Sequence, residues 1–358
     1  MIHDLLPIAL LLAAAATLAV YALGALYAWS RRGLEGCAYP APEDAQRETE
    51  ALARRHPEVA TLESLGRSAE GRPLHVLRLR GTGGPPRKPC LLVTAQIHAA
   101  EFVASYVARS LAVRLVQNYG RDSFVTRLLD RAEIWIAPLL NPDGAERVWR
   151  AGGWTGLKGA RFTSRGVDPN RNFPPPPVEG RRGWNTASER PGSPYYRGPH
   201  PLSEPECRAL ADLCRRERFC AAVNFHSFGS VVFIPGQLTT GDERARNAAA
   251  VFQGTFQSYQ SKRKYRPVIE RPAKIAGQLD AYLYCGLGTP SVTVEVSRPG
   301  RYVLHPTRLF NLFWWANPPD PLVWVENDAD ATIHALLALL DATRGSPCQA
   351  PNPELADW

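Results

Sequence analysis

Four short apolar runs, residues 91–95, 134–140, 221–225 and 292–296, constrain the fold of this chain more than any other feature. Each is bounded by turn or polar residues, and each is too short for a core helix. They read as strands buried on both faces. Around them, residues 102–117, 204–218, 243–259 and 331–342 carry helical periodicity, and Ser203 with Glu206 three positions on has the spacing of a capping box. Buried strands separated by helices predict a layered α/β domain, in which ligand sites form at strand ends.

The N-terminus is of a different kind. Residues 5–29 are 25 positions without a charge, ending in Trp29 and followed by Arg31 and Arg32. That length suffices to cross a hydrocarbon core of about 30 Å. A membrane helix over residues 1–32 is the preferred reading, with a cleaved signal peptide as the rival. Signal peptides open with a basic region and carry a shorter apolar stretch, whereas this chain begins Met-Ile-His-Asp. The arginines after the span favour a cytoplasmic downstream domain, but large domains can override that preference, so the side of the membrane stays open. Residues 33–45, rich in Gly, Pro and Ala, read as a linker, 46–344 as one folded region, and 345–358 as a frayed tail.

Composition narrows the function. Net charge is +8 with 21% charged residues, yet the Lys and Arg are scattered and form no basic run interleaved with aromatics, which argues against nucleic-acid binding. The seven cysteines contain no CxxC pair, which argues against a thiolate zinc site or a redox motif.

His98 follows the first strand directly, and Glu101 opens the next helix, so one nitrogen and one oxygen can turn toward a single point. Alone, this pair reads more readily as a hydrogen-bonded surface pair than as a metal site. Catalytic zinc takes three protein ligands and keeps a fourth position open for water. His226, at the end of the 221–225 strand, is the candidate third ligand, with a buried histidine bonded to backbone as the plainer alternative.

Taken together with Asn141-Pro142-Asp143-Gly144, Val167-Asp168-Pro169-Asn170-Arg171-Asn172-Phe173, His226-Ser227 and Glu295, the His98-x-x-Glu101 motif resembles the zinc carboxypeptidases related to carboxypeptidase A. The resemblance runs from about Pro57 to Leu340. It implies a three-layer α/β/α sandwich with a mixed, twisted sheet. It also implies one Zn²⁺ held by His98, Glu101 and His226, and a peptide substrate with a free C-terminus. Glu295 would be the general base, with a structural Glu paired to Arg298 or Arg301 as the alternative. Arg150, with Arg147 as a second choice, would polarise the scissile carbonyl. Asn170 and Arg171 would grip the terminal carboxylate, unless Arg171 merely braces its loop through Asp168. Leu279 would floor an apolar specificity pocket.

Two departures from the family pattern stand out. There is no Tyr between Tyr265 and Tyr282, where the family carries one in a mobile loop, and Ala100 replaces an arginine inside the His-x-x-Glu motif. The segment between the apolar stretch and the folded region is too short for an inhibitory prodomain, which predicts an enzyme made active. An amidase or deacylase on the same scaffold, or a non-catalytic binding domain of the same fold, are the competing functional readings.

Overall fold

The computed structural model describes residues 2–30, 34, 36–175, 187–235, 243–270, 276–300, 302, 306–309 and 311–343. Its strands are β1 (Ala60–Arg67), β2 (Pro73–Leu79), β3 (Cys90–Ala95), β4 (Glu133–Ala137), β5 (Ala221–Ser227), β6 (Val231–Pro235), β7 (Arg266–Glu270) and β8 (Ser291–Val296). They form one sheet in the order β1-β2-β4-β3-β5-β8-β6-β7. The centre is parallel, β4 with β3, β3 with β5 and β5 with β8, while β1 with β2, β2 with β4 and β6 with β8 are antiparallel. The helices are α1 (Ile2–Ser30), α2 (Pro42–Arg55), α3 (Phe102–Asn118), α4 (Ser123–Arg131), α5 (Pro142–Arg150), α6 (Gly156–Arg161), α7 (Pro205–Glu217), α8 (Glu243–Tyr259), α9 (Leu279–Ala281), α10 (Pro306–Leu309), α11 (Leu312–Ala316) and α12 (Leu322–Ala342).

Two apolar layers sandwich the sheet, as the resemblance implies. Leu91 and Val93 of β3, Val223 and Phe225 of β5, and Val292, Val294 and Val296 of β8 pack with α3, α8 and α12 on one face. Leu92, Trp135 and Ala222 point the other way, onto α7 and the region of α9. Because successive side chains of a strand alternate faces, this register also sorts the polar residues. Asn224 and His226 of β5, and Ser291, Thr293 and Glu295 of β8, all project from the second face. Asp280 accepts hydrogen bonds there from Asn224, Ser291 and Thr293, which joins the two strands beneath the site.

The outer strands β1, β2, β6 and β7 escape the sequence reading. β1 is largely exposed along its length, so it lacks the unbroken apolar character of the central strands. The capping box at Ser203 does not form. Pro205 begins α7, whose cap Glu204 makes no side-chain cap bond. Ser203 is drawn instead to Asn172, and Glu206 Oε1 accepts from Ala69 N at 3.1 Å. The segment expected to be a linker packs onto the domain: Leu34 and Tyr39 are buried, and Tyr39 donates to Pro318 O at 2.6 Å. The tryptophan-rich stretch around α11 also packs. Phe313 and Trp324 are buried, and Asn317 accepts from Val103 N at 2.8 Å, capping the helix that follows Glu101. The expected tail, residues 345–358, lies outside the described residues.

A buried acid ties α12 to the active strand. Asp328 accepts hydrogen bonds from Gln260 Nε2 at 2.9 Å, Tyr265 Oη at 2.7 Å and Asn327 Nδ2 at 2.8 Å, and Tyr265 Oη in turn accepts from Ser297 N just past β8. Burial outweighs these donors and pushes the carboxyl up to about 7 from 3.8. With the folded value above the unfolded one, the protonated acid is the form that folding favours. Its contribution is therefore complete at low pH and is lost as pH rises from about 4 through about 7. The denaturation free energy of Asp328→Asn should fall less steeply across that window than that of the unmodified chain, by on the order of a few kcal/mol. Parallel pH profiles for the two proteins would contradict this.

Candidate metal centre

The site forms where β3, β5 and β8 end. β3 and β5 pair in register up to Ala95 and Phe225, so His98, just beyond the first, and His226, next along the second, reach the same edge. Here β3 is flanked by β4 on one side and β5 on the other, so the chain's connections diverge and a crevice opens at the carboxyl ends of the strands. Gln96, with φ of 52°, turns the chain out of β3, and Glu101 is the N-cap residue of α3.

His98, Glu101 and His226 are all buried, and their ligand atoms lie within 4.8 Å of one another. His98 Nδ1 is 2.8 Å from Glu101 Oε1, and His226 Nδ1 is 3.0 Å from Glu101 Oε2. The second contact is not aligned as a hydrogen bond, which leaves Oε2 buried without an aligned donor. Ligands bound at about 2.1 Å around a tetrahedral ion stand roughly 3.4 Å apart, so this trio needs little adjustment to hold zinc. Burial alone would raise the Glu101 carboxyl, but the charges of the His98 and His226 imidazoles hold it down to about 2. Burial likewise opposes charge on His226, and the Glu101 carboxylate overcomes it, raising that imidazole to about 9. A buried carboxylate facing two imidazoles calls for a cation.

Asp168 supports this group from behind. Fully buried, it places Oδ1 3.3 Å from His98 Nε2, the nitrogen turned away from Glu101. Burial opposes its charge, but Arg161, His98 and Arg171 hold its carboxyl well below the usual range. Arg161, the last residue of α6, donates through Nη2 to Asp168 Oδ2 at 2.8 Å, and the same nitrogen lies 2.9 Å from His98 Nε2.

Glu295 is paired in register with His226 across β5 and β8, on the same face of the sheet. Gly229 lies so close that a Cβ there would stand 3.1 Å from Glu295 Cβ. Asn170 and Arg171 occupy a short 3₁₀ turn that opens at Asp168, and both are buried. Arg171 Nη1 donates to Asn170 O at 2.6 Å, and Asn170 Oδ1 accepts from Leu279 N at 2.9 Å. Gly277 passes against this turn with φ of 77°, and a Cβ on it would sit 2.3 Å from Arg171 O, so no other residue fits. Leu279 itself is buried among Phe173, Tyr282 and Leu283.

Residues 46–312 match the family model described as zinc carboxypeptidase. The chain belongs to the zinc carboxypeptidase family. It is 30% identical over 233 residues to mouse carboxypeptidase A4, covering 59% of this chain and 52% of that protein. It is 28% identical over 263 residues to human carboxypeptidase A1, covering 70% of this chain and 60% of that one. The matched region thus spans about half the length of the curated relatives. Among solved structures, carboxypeptidase A from Helicoverpa armigera superposes with a TM-score of 0.65 at 21% identity, covering 87% of this chain and 75% of that one. Bovine thrombin-activatable fibrinolysis inhibitor, solved with a tick carboxypeptidase inhibitor, gives a TM-score of 0.65 at 20% identity, with coverage of 85% and 97%. These likenesses establish the fold.

Within this zinc carboxypeptidase domain the two arginines named from the Arg147–Arg150 segment lie elsewhere than expected. Arg150 is 74% exposed on α5 and pairs with Glu146 at 2.6 Å, a helical i,i+4 contact that takes no part in the network around His98. Arg147 is a brace: it donates to Thr163 O at 3.0 Å and Phe162 O at 2.8 Å, fixing the stretch just after Arg161. Arg161, rather than either of these, brings a guanidinium to His98. The sequence signal for it was its place seven residues before Asp168, in a Gly-Ala-Arg-Phe stretch with no helical or strand periodicity to mark it.

Partners that orient a metal-binding histidine typically contribute 10- to 100-fold in metal affinity. Asp168→Asn is therefore expected to weaken zinc binding about tenfold or more in competition with a chelating dye, while far-ultraviolet circular dichroism stays unchanged. Wild-type affinity in that variant would remove Asp168 from the metal centre.

Proposed function

We propose that this chain is a zinc-dependent metallocarboxypeptidase that hydrolyses the C-terminal peptide bond of peptides and is anchored to a membrane by α1. The observation that carries the reading is the adjacency of two features. A buried His98–Glu101–His226 trio lies at the strand ends, and a buried Arg171 lies three residues after Asp168, the acid that supports His98.

Zinc bound by the trio supplies Lewis acidity and lowers the pKa of a coordinated water toward neutrality. Glu295, held beside His226 by the β5–β8 register, accepts the proton of the attacking water and passes it to the leaving amine. Arg161 takes the part expected of Arg150. Its guanidinium, fixed by Asp168, offers donors to the oxygen on which negative charge develops. Arg171 and Asn170 bind the carboxylate of the substrate's last residue, since a guanidinium fork matches a carboxylate through two parallel hydrogen bonds. A desolvated cation at that position favours a free C-terminus over an amide, and so favours an exopeptidase over an amidase. Leu279, with Phe173 and Tyr282 around it, favours an apolar terminal side chain.

Anchoring rests on α1. Its segment Leu6–Gly24 has a mean hydropathy of 2.2 and none of it is buried against the domain. It is long and apolar enough to cross a membrane, and a signal sequence would satisfy the same test.

The reading is tested with a blocked dipeptide bearing a free aromatic C-terminal residue, and with its amide. Zinc-loaded protein should cleave the acid and spare the amide, and a chelator should abolish cleavage. Glu295→Gln should keep one zinc per chain and lose about 10²-fold or more in kcat. Arg161→Ala should lose a comparable factor of about 10²–10³, while Arg150→Ala stays within about threefold of wild type. Full activity of Glu295→Gln, or a large loss confined to Arg150→Ala, would contradict these assignments.

A further inference from the structure

Two guanidinium groups flank the metal centre, and a single aromatic ring stands against both. The Tyr195 ring centroid is 5.6 Å from Arg161 Cζ and 5.4 Å from Arg171 Cζ. Both cations are withdrawn from bulk water, Arg171 more completely than Arg161. The carboxylate in hydrogen-bond contact with Arg161 is that of Asp168. An aromatic face carries partial negative charge, and a cation within about 6 Å of the centroid is attracted to it, more strongly when desolvated. Tyr195 therefore supplies part of the balancing field that a buried and a half-buried cation side by side require, without adding a carboxylate that would compete with an anionic ligand.

The loop that carries the ring is tied to the same residue that contacts His98. Asp168 N donates to Tyr196 O at 2.8 Å, and Ser188 N donates to Tyr195 O at 2.8 Å. Tyr195 N donates to Ser193 Oγ at 3.3 Å. The loop carrying Tyr195 is thus tied at its backbone to the acid that orients His98 and Arg161. Tyr195 is half-buried.

We propose that Tyr195 is a substrate-positioning residue, whose ring fixes the placement of Arg161 and Arg171 relative to each other and forms an aromatic wall against the last residue of the peptide. A C-terminal residue presents its carboxylate and its scissile carbonyl a fixed distance apart, so the two guanidiniums must keep a matching separation. One rigid ring in contact with both sets that separation. The chain carries no Tyr between Tyr265 and Tyr282, and Tyr195 places an aromatic side chain beside the substrate arginines from a different loop. This inference rests on the proposed carboxypeptidase reading, because it assigns the two arginines their ligand groups.

The test compares Tyr195→Phe and Tyr195→Leu in the zinc-loaded full chain, using the blocked dipeptide acid as substrate. Binding of the free aromatic amino acid and of its amide, followed by isothermal titration calorimetry, provides a readout independent of turnover. Tyr195→Phe keeps the ring and should stay within about threefold of wild type in both KM and kcat. Tyr195→Leu should raise KM about tenfold, lower kcat by a similar factor, and lose most of the preference for acid over amide, with zinc content unchanged. A loss of folded protein alone would lower apparent kcat and leave KM untouched. Wild-type KM and wild-type acid preference in Tyr195→Leu overturn the role of Tyr195 and leave the carboxypeptidase reading standing. Failure of the wild-type chain to distinguish acid from amide overturns both, since Arg171 would then have no carboxylate to hold.

Discussion

A buried carboxylate facing two buried imidazoles is the constraint around which this molecule is arranged. Glu101 cannot carry its charge in that environment without compensating positive charge, because desolvation of an unpaired carboxylate costs several kcal/mol. The two imidazoles face it directly, and a divalent ion held between them would supply that charge, with its ligands deprotonated. Much of the surrounding structure serves to hold these three groups. Asp168 fixes one imidazole from behind. Asn317 caps the helix that begins after Glu101, and the register of β5 against β8 carries His226 and Glu295 to the edge together.

The sheet achieves this by using its two faces differently. One face of β5 and β8, bearing Ala221, Val223, Phe225, Val292, Val294 and Val296, is apolar and packs under α3, α8 and α12. The other bears Asn224, His226, Ser291, Thr293 and Glu295, a polar stripe braced by Asp280. A buried polar network of this kind is tolerated only where its members find partners. Here the partners supply that support and lead in sequence to the reacting groups, so the interior network ends in a chemical site.

Legibility in the sequence followed the same physics. β3, β5 and β8 could be recognised because burial on both faces excludes charge from most of their positions, and the helices packed on them showed their apolar period. The three candidate metal ligands stood out because each stands at the end of such a strand or at the start of the helix that follows, and the resemblance to the zinc carboxypeptidases joined them into one set. The outer strands, β1 and β7 at the edges with β2 and β6 beside them, gave a weaker signal, being partly exposed. Ser203 followed by Glu206 had the spacing of a cap, but tertiary partners at Asn172 and Ala69 claimed both side chains. The alternation Ser291, Thr293, Glu295 against Val292, Val294, Val296 was present in the sequence as a sign of two unlike faces. Arg161 was the hardest to find. It sits in a segment without periodicity, placed by carbonyl contacts to Arg147 from another helix, whereas Arg150 lay nearer the expected motif but on the solvent side of α5.

The central claim is that His98, Glu101 and His226 surround one divalent ion and leave a coordination position to solvent. X-ray absorption at the zinc edge of the loaded protein tests it most directly. The account predicts one zinc per chain with only nitrogen and oxygen neighbours at about 2.0–2.2 Å, two of them imidazoles, and a water among them. A sulfur neighbour at about 2.3 Å, or a first shell unchanged by His226→Ala, would contradict it.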